Sequence, residues 1–317
     1  MLDNHSFQPA WGLSNPNLQT IVSSVGRKIM KPAWLDDFVQ RSERRDIHVQ
    51  GQHLTAQYDR SSQIDAALVM IIHGWLGSAD SSYVVATAHA LQRAGYHVAR
   101  LTLRDHGGTA DLNEGLFHSA MTDEVVAAAQ FIMDDFGCST AGLVGFSMGG
   151  NFALRLAKHL PQLHTLAICP AISPQHTVEQ IAGSVIYERY FMGKWQALWR
   201  QKQAAFPHLY DFSAMNQLGS IHTLTEVFIK EHTHFDDLQA YYTAYDLRGD
   251  VLDGVRATIL AAFDDPIIPA RHYDSLPDSI DVNLTKRGGH TAYIKNWRLE
   301  SWVDDYSRAF FNERLNL

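Results

Sequence analysis

The chain of 317 residues contains little cysteine, and its two thiols are Cys138 and Cys169. Each lies beside or within a predicted core element, so we expect both to be reduced packing residues of a cytosolic protein. No apolar run approaches the ~20 residues needed to cross a bilayer, and the stretch 66–72 is typical. Residues 1–25 also lack the pattern of a signal peptide. The sequence therefore predicts a cytoplasmic protein without an integral membrane segment.

Positive charge is also scarce. The chain has 26 Lys and Arg against 34 Asp and Glu, a net charge of −8 that disfavours a nucleic-acid partner. Neither G-x-G-x-x-G after a strand nor G-x-x-x-x-G-K-[ST] occurs, so nucleotide binding lacks its phosphate cradle. The pair His232 and His234, followed by Asp236 and Asp237, raises the possibility of a metal site, but no H-E-x-x-H or cysteine pair accompanies it. We therefore expect neither a metal nor an organic cofactor.

Hydrophobic residues make up 46% of the chain and charged residues 19%, which is typical of a protein with a sizeable core. From residue 66 onward, short apolar runs alternate with helical patterns, and this alternation predicts a mostly parallel sheet flanked by helices. A hairpin is predicted over 43–60, ahead of this part. A last helix is predicted to be capped by Asn296. The remaining strands are predicted at 67–72, 97–103, 143–146, 165–169, 258–263 and 282–285, with helices over 84–91, 125–136 and 149–160 between the earlier strands.

The alternation of predicted strands and helices is interrupted over residues 171–255. We interpret the whole chain, 1–317, as one α/β domain in which this segment is a helical cap insertion. The segment is rich in aromatic side chains, most of which we expect to pack the cap onto the sheet, while at least one lines an apolar substrate pocket. These side chains are Tyr187, Tyr190, Phe191, Trp195, Trp199, Phe206, Tyr210 and Phe212.

The most informative segment is 145–149, which reads Gly-Phe-Ser-Met-Gly between a predicted buried strand and an amphipathic helix. A sharp turn from strand to helix needs small residues on both sides of the serine because the backbone is strained and closely packed there. Such a turn would present the Ser147 hydroxyl above the sheet edge. It would also leave the Met148 amide free to bind an oxyanion. The pattern predicts that Ser147 is a nucleophile.

A serine nucleophile needs a base, and the base needs an orienting acid, in the chain order Ser, Asp or Glu, His. Both partners follow late strands, as Asp264 or Asp265 and as His290. We prefer Asp265 because it directly precedes Pro266, which would fix its direction, whereas Asp264 would cap the loop. His290 follows two glycines on a loop at the expected place.

A second oxyanion donor is expected from the loop after the first core strand, which begins His73-Gly74-Trp75. Gly74 would allow close backbone approach, leaving the Trp75 amide as the donor. We interpret His73 as a buried scaffold histidine that is hydrogen-bonded within the loop. The predicted site thus contains Ser147, His290 and an orienting acid, with two amide donors.

Motifs from residue 7 to residue 290 resemble, in order, those of the α/β-hydrolase superfamily and more narrowly of the YheT-like hydrolases. The matching segments are 7–9 and 15–20 near the start, 73–78 with 82–83 at the oxyanion loop, 104–108 with 118–123, 144–151 at the nucleophile, 235–238 with 241–242 in the insertion, 264–266 and 288–290.

This resemblance implies hydrolysis of carboxylic esters, here of short to medium acyl length. Alternatives are a thioesterase, an acyltransferase or a peptide hydrolase with the same catalytic residues, or a non-catalytic ligand-binding protein on the same fold. The family often has Arg-Gly where this chain has Arg104-Asp105-His106, and Pro-Arg-x-Tyr where it has 113–117. Both segments lie near the pocket mouth in such folds, so they are expected to influence the choice of substrate.

Overall fold

The computed structural model describes residues 7–315, and its centre is one eight-stranded sheet. The order across the sheet is β1-β2-β4-β3-β5-β6-β7-β8. β1 and β2 form the predicted antiparallel hairpin, β2 pairs antiparallel with β4, and β3 to β8 are parallel. The strands are β1 Glu43–Val49, β2 Gln52–Asp59, β3 Leu68–Ile72, β4 His97–Thr102, β5 Ala141–Phe146, β6 Leu163–Ile168, β7 Ala257–Ala262 and β8 Ile280–Thr285. The predicted α/β fold is therefore confirmed.

Helices cover both faces of this sheet. The helices are α1 Pro16–Ile21, α2 Arg27–Ile29, α3 Leu35–Arg41, α4 Ser82–Arg93, α5 Thr122–Asp135, α6 Met148–His159, α7 Pro174–Ala182, α8 Val185–Ala205, α9 Ile221–His232, α10 Leu238–Thr243 and α11 Trp302–Arg314, with a π-helical turn over Val22–Gly26 between α1 and α2. None of the helices in the described range is both long enough and apolar enough to span a membrane.

The alternation of side chains along β3 separates the two layers of the core. Val69 and Ile71 pack with α4 and α11, while Met70 and Ile72 pack with α5 and α6. Every residue of β3 is buried, as expected for a parallel strand covered on both faces. The continuous apolar run in the sequence follows from this double burial.

The start of the last helix was predicted wrongly. Helix α11 begins at Trp302 with Ser301 as its N-cap, and the Ser301 hydroxyl accepts a hydrogen bond from the Val303 amide. The Asn296 side chain accepts instead from the amides of Arg298 and Glu300. Leu299 has a φ of 60°, a conformation that breaks a right-handed helix, so the helix cannot extend back to Asn296.

The segment between β6 and β7 is helical and contributes to a third part of the core. Helices α7 to α10 lie within it. Their apolar side chains form one cluster with side chains of β6 and β7. At its centre, the Trp199 ring packs between those of Phe212 and Phe228, with ring centres 5.4 and 5.7 Å apart.

A buried ion pair joins this helical segment to the loop after β4. The Lys202 ammonium on α8 donates to the Asp105 carboxylate at 2.9 Å, and both side chains are fully buried. The same ammonium donates to the carbonyl oxygens of Asn113 and Gly115. The second Asp105 oxygen accepts from the Phe117 amide at 2.8 Å. This network therefore holds the 113–117 loop against α8.

Replacing Lys202 should destabilise the protein strongly, because it leaves the Asp105 charge buried without its partner. We expect Lys202→Met to lower the free energy of unfolding by about 3–5 kcal/mol, measured by urea denaturation. Neutralising both members, as Lys202→Met with Asp105→Asn, should recover part of this loss.

The matched control is Arg41→Met, which breaks the exposed pair with Asp37 on α3. It should cost no more than about 0.5 kcal/mol. A loss in Lys202→Met as small as in this control would contradict the structural role of the buried pair.

Candidate active site

The turn from β5 into α6 has the tight geometry that its sequence predicts. Ser147 lies at φ 55° and ψ −116°, a conformation that an L-residue rarely adopts. Its amide donates to the Ile168 carbonyl at 2.9 Å, and its carbonyl accepts from the Asn151 amide at 3.0 Å. These bonds tie the strained residue to β6 and α6.

Gly149 allows the start of α6 to approach the neighbouring chain. A Cβ atom at this position would lie 2.4 Å from the carbonyl oxygens of both Ile72 and His73, far inside van der Waals contact. Only a hydrogen fits there. The end of β3 and the start of α6 are therefore in backbone contact, which brings the loop after β3 next to Ser147.

Ser147, His290 and Asp265 form one hydrogen-bonded chain. The Ser147 Oγ and the His290 Nε2 are 2.9 Å apart, and the His290 Nδ1 and the Asp265 Oδ2 are also 2.9 Å apart. The other Asp265 oxygen accepts from the amides of Ile267 and Ile268 at 2.8 and 2.9 Å. The Asp265 side chain is 1% exposed. An acceptor-only carboxylate at Nδ1 favours the tautomer with its proton on Nδ1, which leaves Nε2 to accept from Ser147.

Asp264 contacts the histidine loop and not the histidine ring. Its carboxylate accepts from the Gly289 amide at 3.0 Å. Partial burial raises the pKa of this carboxyl above its usual value, and the Gly289 and Gly288 amides lower it by a smaller amount. The two neighbouring carboxylates therefore have different partners, Asp265 the His290 ring and Asp264 the Gly289 amide.

Comparisons with known proteins find similarity to α/β hydrolases. A family model of the alpha/beta hydrolase fold matches residues 67–187. The chain is 26% identical over 336 residues to the Escherichia coli (strain K12) protein named "Putative esterase YheT", covering 96% of this chain and 94% of that protein. The chain therefore has the α/β-hydrolase fold, and it is similar to this protein over nearly its whole length.

Solved structures show the same fold as this hydrolase at low sequence identity. A serine hydrolase from Cycloclasticus zankles superposes with a TM-score of 0.59 at 15% identity, covering 87% of this chain and 100% of that one. An esterase from Pyrococcus furiosus superposes with a TM-score of 0.54 at 13% identity, covering 90% of this chain and 95% of that one.

A second sequence relative matches a shorter region. The chain is 33% identical over 101 residues to a thermostable monoacylglycerol lipase of Bacillus sp. (strain H-257), covering 30% of this chain and 36% of that protein.

The loop after β3 lies beside Ser147, and the amide of its Trp75 is available to a ligand. Among the described residues, no protein acceptor is bonded to the amide of Trp75 or of Met148. His73 is fully buried, and its ring bonds the Gly74 carbonyl and the Leu103 amide. Burial lowers the pKa of His73 to about 3, so the ring is neutral at pH 7. His73 thus supports the loop, as the sequence suggested.

A cavity of about 330 Å³ opens above the Ser147 hydroxyl. Four aromatic residues of α8 line the cavity, namely Tyr187, Tyr190, Phe191 and Trp195. Trp199 on α8 and Phe212 beyond it do not line the cavity, and both are buried in the core cluster, to which Tyr187 and Trp195 also belong. The ring of Trp75 stacks on Phe191 with centres 5.3 Å apart, so α8 also packs directly on the loop after β3.

The segments that depart from the family pattern mostly do not reach the cavity. Asp105 and His106 are 1% exposed and lie beneath the surface, and the 113–116 loop is held by Lys202. Of these residues, Phe117 lines the cavity. The expectation that both segments lie near the pocket mouth is therefore wrong for 104–106, whereas 113–117 reaches the cavity through Phe117. The Asp105 side chain forms the buried ion pair with Lys202, and Asn113 and Gly115 contribute their carbonyl oxygens to it.

The contribution of the N-terminal segment was not predicted from the sequence. The Thr20 hydroxyl donates to the Pro16 carbonyl at 2.8 Å and accepts from the His290 amide at 2.9 Å. Gly289 has a φ of 58°, and a Cβ there would lie 2.8 Å from the Pro16 oxygen, so glycine permits this close contact. The resemblance over 15–20 was the one signal that could have indicated a role here.

The possible metal ligands do not form a fitting site. His232 packs among Tyr210, Phe212 and Phe228, while His234 contacts His118 and Phe235. Among the described residues, one group could converge on an ion, namely Cys169, Asp265 and His290. Burial raises the pKa of the Cys169 thiol well above its usual value, whereas a metal binds the thiolate. The two cysteines are free in the structure.

Because the backbones are in contact at Gly149, adding one methyl group at this position should strongly lower the stability of the protein. Gly149→Ala should lower the free energy of unfolding by about 1–3 kcal/mol or more, because two backbone carbonyls must move apart. Urea denaturation of the purified variant measures this loss.

Gly193→Ala on α8 is the matched control, since nothing lies within 4 Å of a Cβ at that position. It should raise stability by up to about 1 kcal/mol, the helix preference of alanine over glycine. Equal stability of the two variants would show that the turn tolerates a wider separation.

Proposed function

We propose that this α/β hydrolase is a serine esterase that cleaves carboxylic esters of short to medium acyl length. The observation that carries the proposal is the continuous hydrogen-bonded chain from Ser147 through His290 to Asp265, which ends at an apolar cavity. The YheT and monoacylglycerol lipase names of its relatives support ester hydrolysis as the reaction class. The roles below follow from the contacts of each residue.

The Ser147 hydroxyl attacks the ester carbonyl, and the His290 Nε2 accepts the hydroxyl proton. Asp265 holds the ring in the reactive tautomer and stabilises its charged form. Collapse of the tetrahedral intermediate breaks the bond to the alcohol oxygen, which takes the proton from His290. Water then attacks the acyl-Ser147 ester while His290 removes a proton from it. The bond between the acyl carbon and the Ser147 Oγ breaks, the Oγ takes that proton from His290, and the carboxylic acid leaves. The amides of Ile267 and Ile268 keep Asp265 correctly aimed throughout.

The amides of Trp75 and Met148 stabilise the oxyanion of the tetrahedral intermediate. Both residues line the cavity at Ser147. Met148 is the first residue of α6, where the helix leaves its leading amides unpaired and carries partial positive charge. Loss of one such donor typically lowers the rate about 10²–10³-fold.

The helical segment over 171–255 acts as the cap that shapes the acyl site. Its α8 contributes four aromatic side chains to the cavity and is tied to the domain by the Lys202 pair. A volume of about 330 Å³ lies at the small end of ligand pockets. The size supports acyl groups of short to medium length.

The decisive experiment is hydrolysis of a chain-length series of p-nitrophenyl esters by the wild type and by Ser147→Ala. Turnover should vanish in the variant, because alanine at this position has no hydroxyl to attack the ester carbonyl. Labelling with a fluorophosphonate should mark wild-type Ser147 and be absent from the variant. Retained ester hydrolysis by folded Ser147→Ala would overturn the mechanism. Absence of both hydrolysis and labelling in the wild type would indicate a ligand-binding protein.

The two neighbouring carboxylates provide an internal comparison. Asp265→Asn should lower kcat about 10⁴-fold, because an amide at that position favours the wrong tautomer of His290. Asp264→Asn should have a much smaller effect, since Asp264 bonds the Gly289 amide and an asparagine oxygen can still accept that bond. Steady-state kinetics on one ester measures both variants. The reverse order of effects would transfer the orienting role to Asp264.

A further inference from the structure

The cavity above Ser147 has an unusual charge distribution for this chain. Acidic residues outnumber basic ones in the sequence, 34 to 26. Among the described residues that line the cavity, however, there is no carboxylate, and Lys194 on α8 is the one lysine or arginine. The walls of the cavity are otherwise mainly apolar and aromatic. A substrate in this cavity therefore meets a fixed positive charge and no negative one on its walls.

The Lys194 ammonium is held close to the proposed oxyanion loop. Its Nζ donates to the Leu76 carbonyl at 3.0 Å, one residue beyond Trp75. It also lies 4.9 Å from the centre of the Tyr190 ring, which faces the same cavity. Both contacts restrain a long and otherwise mobile side chain. The charge is thus placed at a defined point on the half-buried wall.

No described carboxylate pairs with Lys194, in contrast to Lys202 on the same helix, whose charge is balanced by Asp105. An ammonium has three N–H donors, and the Leu76 carbonyl accepts from one of them. Burial is the main cause that lowers the pKa of His73 to about 3 and of His106 to about 4, and the Lys194 charge makes a smaller contribution in the same direction. The wall beside Ser147 can therefore offer both donors and charge to a ligand.

We propose that Lys194 binds a negatively charged group of the substrate, so that the enzyme prefers esters carrying a carboxylate to neutral esters of the same length. This inference rests on the proposed esterase function and adds a substrate class to it. An anionic group replaces the missing carboxylate partner of Lys194, while the apolar wall accepts the hydrocarbon part of the same molecule. An ammonium offers a compact point charge, which suits a carboxylate without requiring a second cation.

The test compares two p-nitrophenyl esters with the same six-carbon acyl chain, the hydrogen adipate, which ends in a carboxylate, and the methyl adipate, which ends in a neutral methyl ester. Wild type should have a kcat/KM for the anionic ester about fivefold to tenfold above that for the neutral one, the range expected for an ion pair at a partly buried site. The difference between the two esters should lie mainly in KM, because Lys194 contacts the carboxylate equally in the bound substrate and in the transition state. It should decrease as salt is added.

Three substitutions of Lys194 then separate charge from packing. Lys194→Met should remove the preference for the anionic ester, Lys194→Arg should retain it, and Lys194→Glu should reverse it in favour of the neutral ester. Lys230→Met is the matched control, because Lys230 is exposed on α9 and does not line the cavity. It should leave the ratio of the two kcat/KM values at the wild-type level.

The outcomes distinguish this inference from the proposed function. Equal losses on both esters in Lys194→Met would mean that Lys194 acts by holding the Leu76 carbonyl, and would overturn the specificity role. A wild type that hydrolyses both esters equally would overturn it while leaving the esterase function intact. Hydrolysis of neither ester, together with no fluorophosphonate labelling of Ser147, would remove the proposed function and this inference with it.

Discussion

The close backbone contact between the end of β3 and the start of α6 is the constraint on which the site depends. Gly149 permits that contact, and the positive φ of Ser147 follows from turning the chain directly from β5 into α6. Hydrogen bonds from Ser147 to β6 and α6 hold the strained conformation. The result is a hydroxyl at the carboxyl edge of a parallel sheet, with the loop after β3 beside it. In open α/β sheets this edge is where ligands bind.

The other residues of the candidate site reach the sheet edge near Ser147 from distant positions in the chain. Loops after β7 and β8 bring Asp265 and His290 to the same edge, because parallel strands end together. The N-terminal segment then fixes the His290 amide through Thr20. The backbone amides of Ser147 and His290 are thus each bonded to another element, while the Asp265 carboxylate is held by amides of its own loop. That support keeps the hydrogen-bonded chain assembled before a substrate arrives.

Helix α8 has two lysines, of which one is paired with a carboxylate and the other is not. Lys202 is fully buried, and its cost of burial is offset by Asp105 and two carbonyl oxygens. Lys194 is half-buried at the cavity with one carbonyl and one aromatic ring as its contacts. The first lysine fastens the helix to the loop that carries Phe117, and the second leaves a charge available beside Ser147. One helix therefore combines a structural attachment with a candidate recognition group.

The sequence by itself was sufficient for the parallel sheet, for the turn at Ser147 and for the order of Ser147, Asp265 and His290, because these features depend on local patterns at the ends of apolar strands. The tertiary structure decided what depends on contacts between distant residues. Asn296 matched the residue type of an N-cap, yet the positive φ of Leu299 places the helix start at Trp302. The partners of Thr20, Lys202 and Lys194 lie far away in the chain, and no periodicity encodes such a pairing. Packing of α8 against the loops after β3 and β4 determines the partners of the two lysines, and packing of α1 against the loop after β8 determines the partner of Thr20.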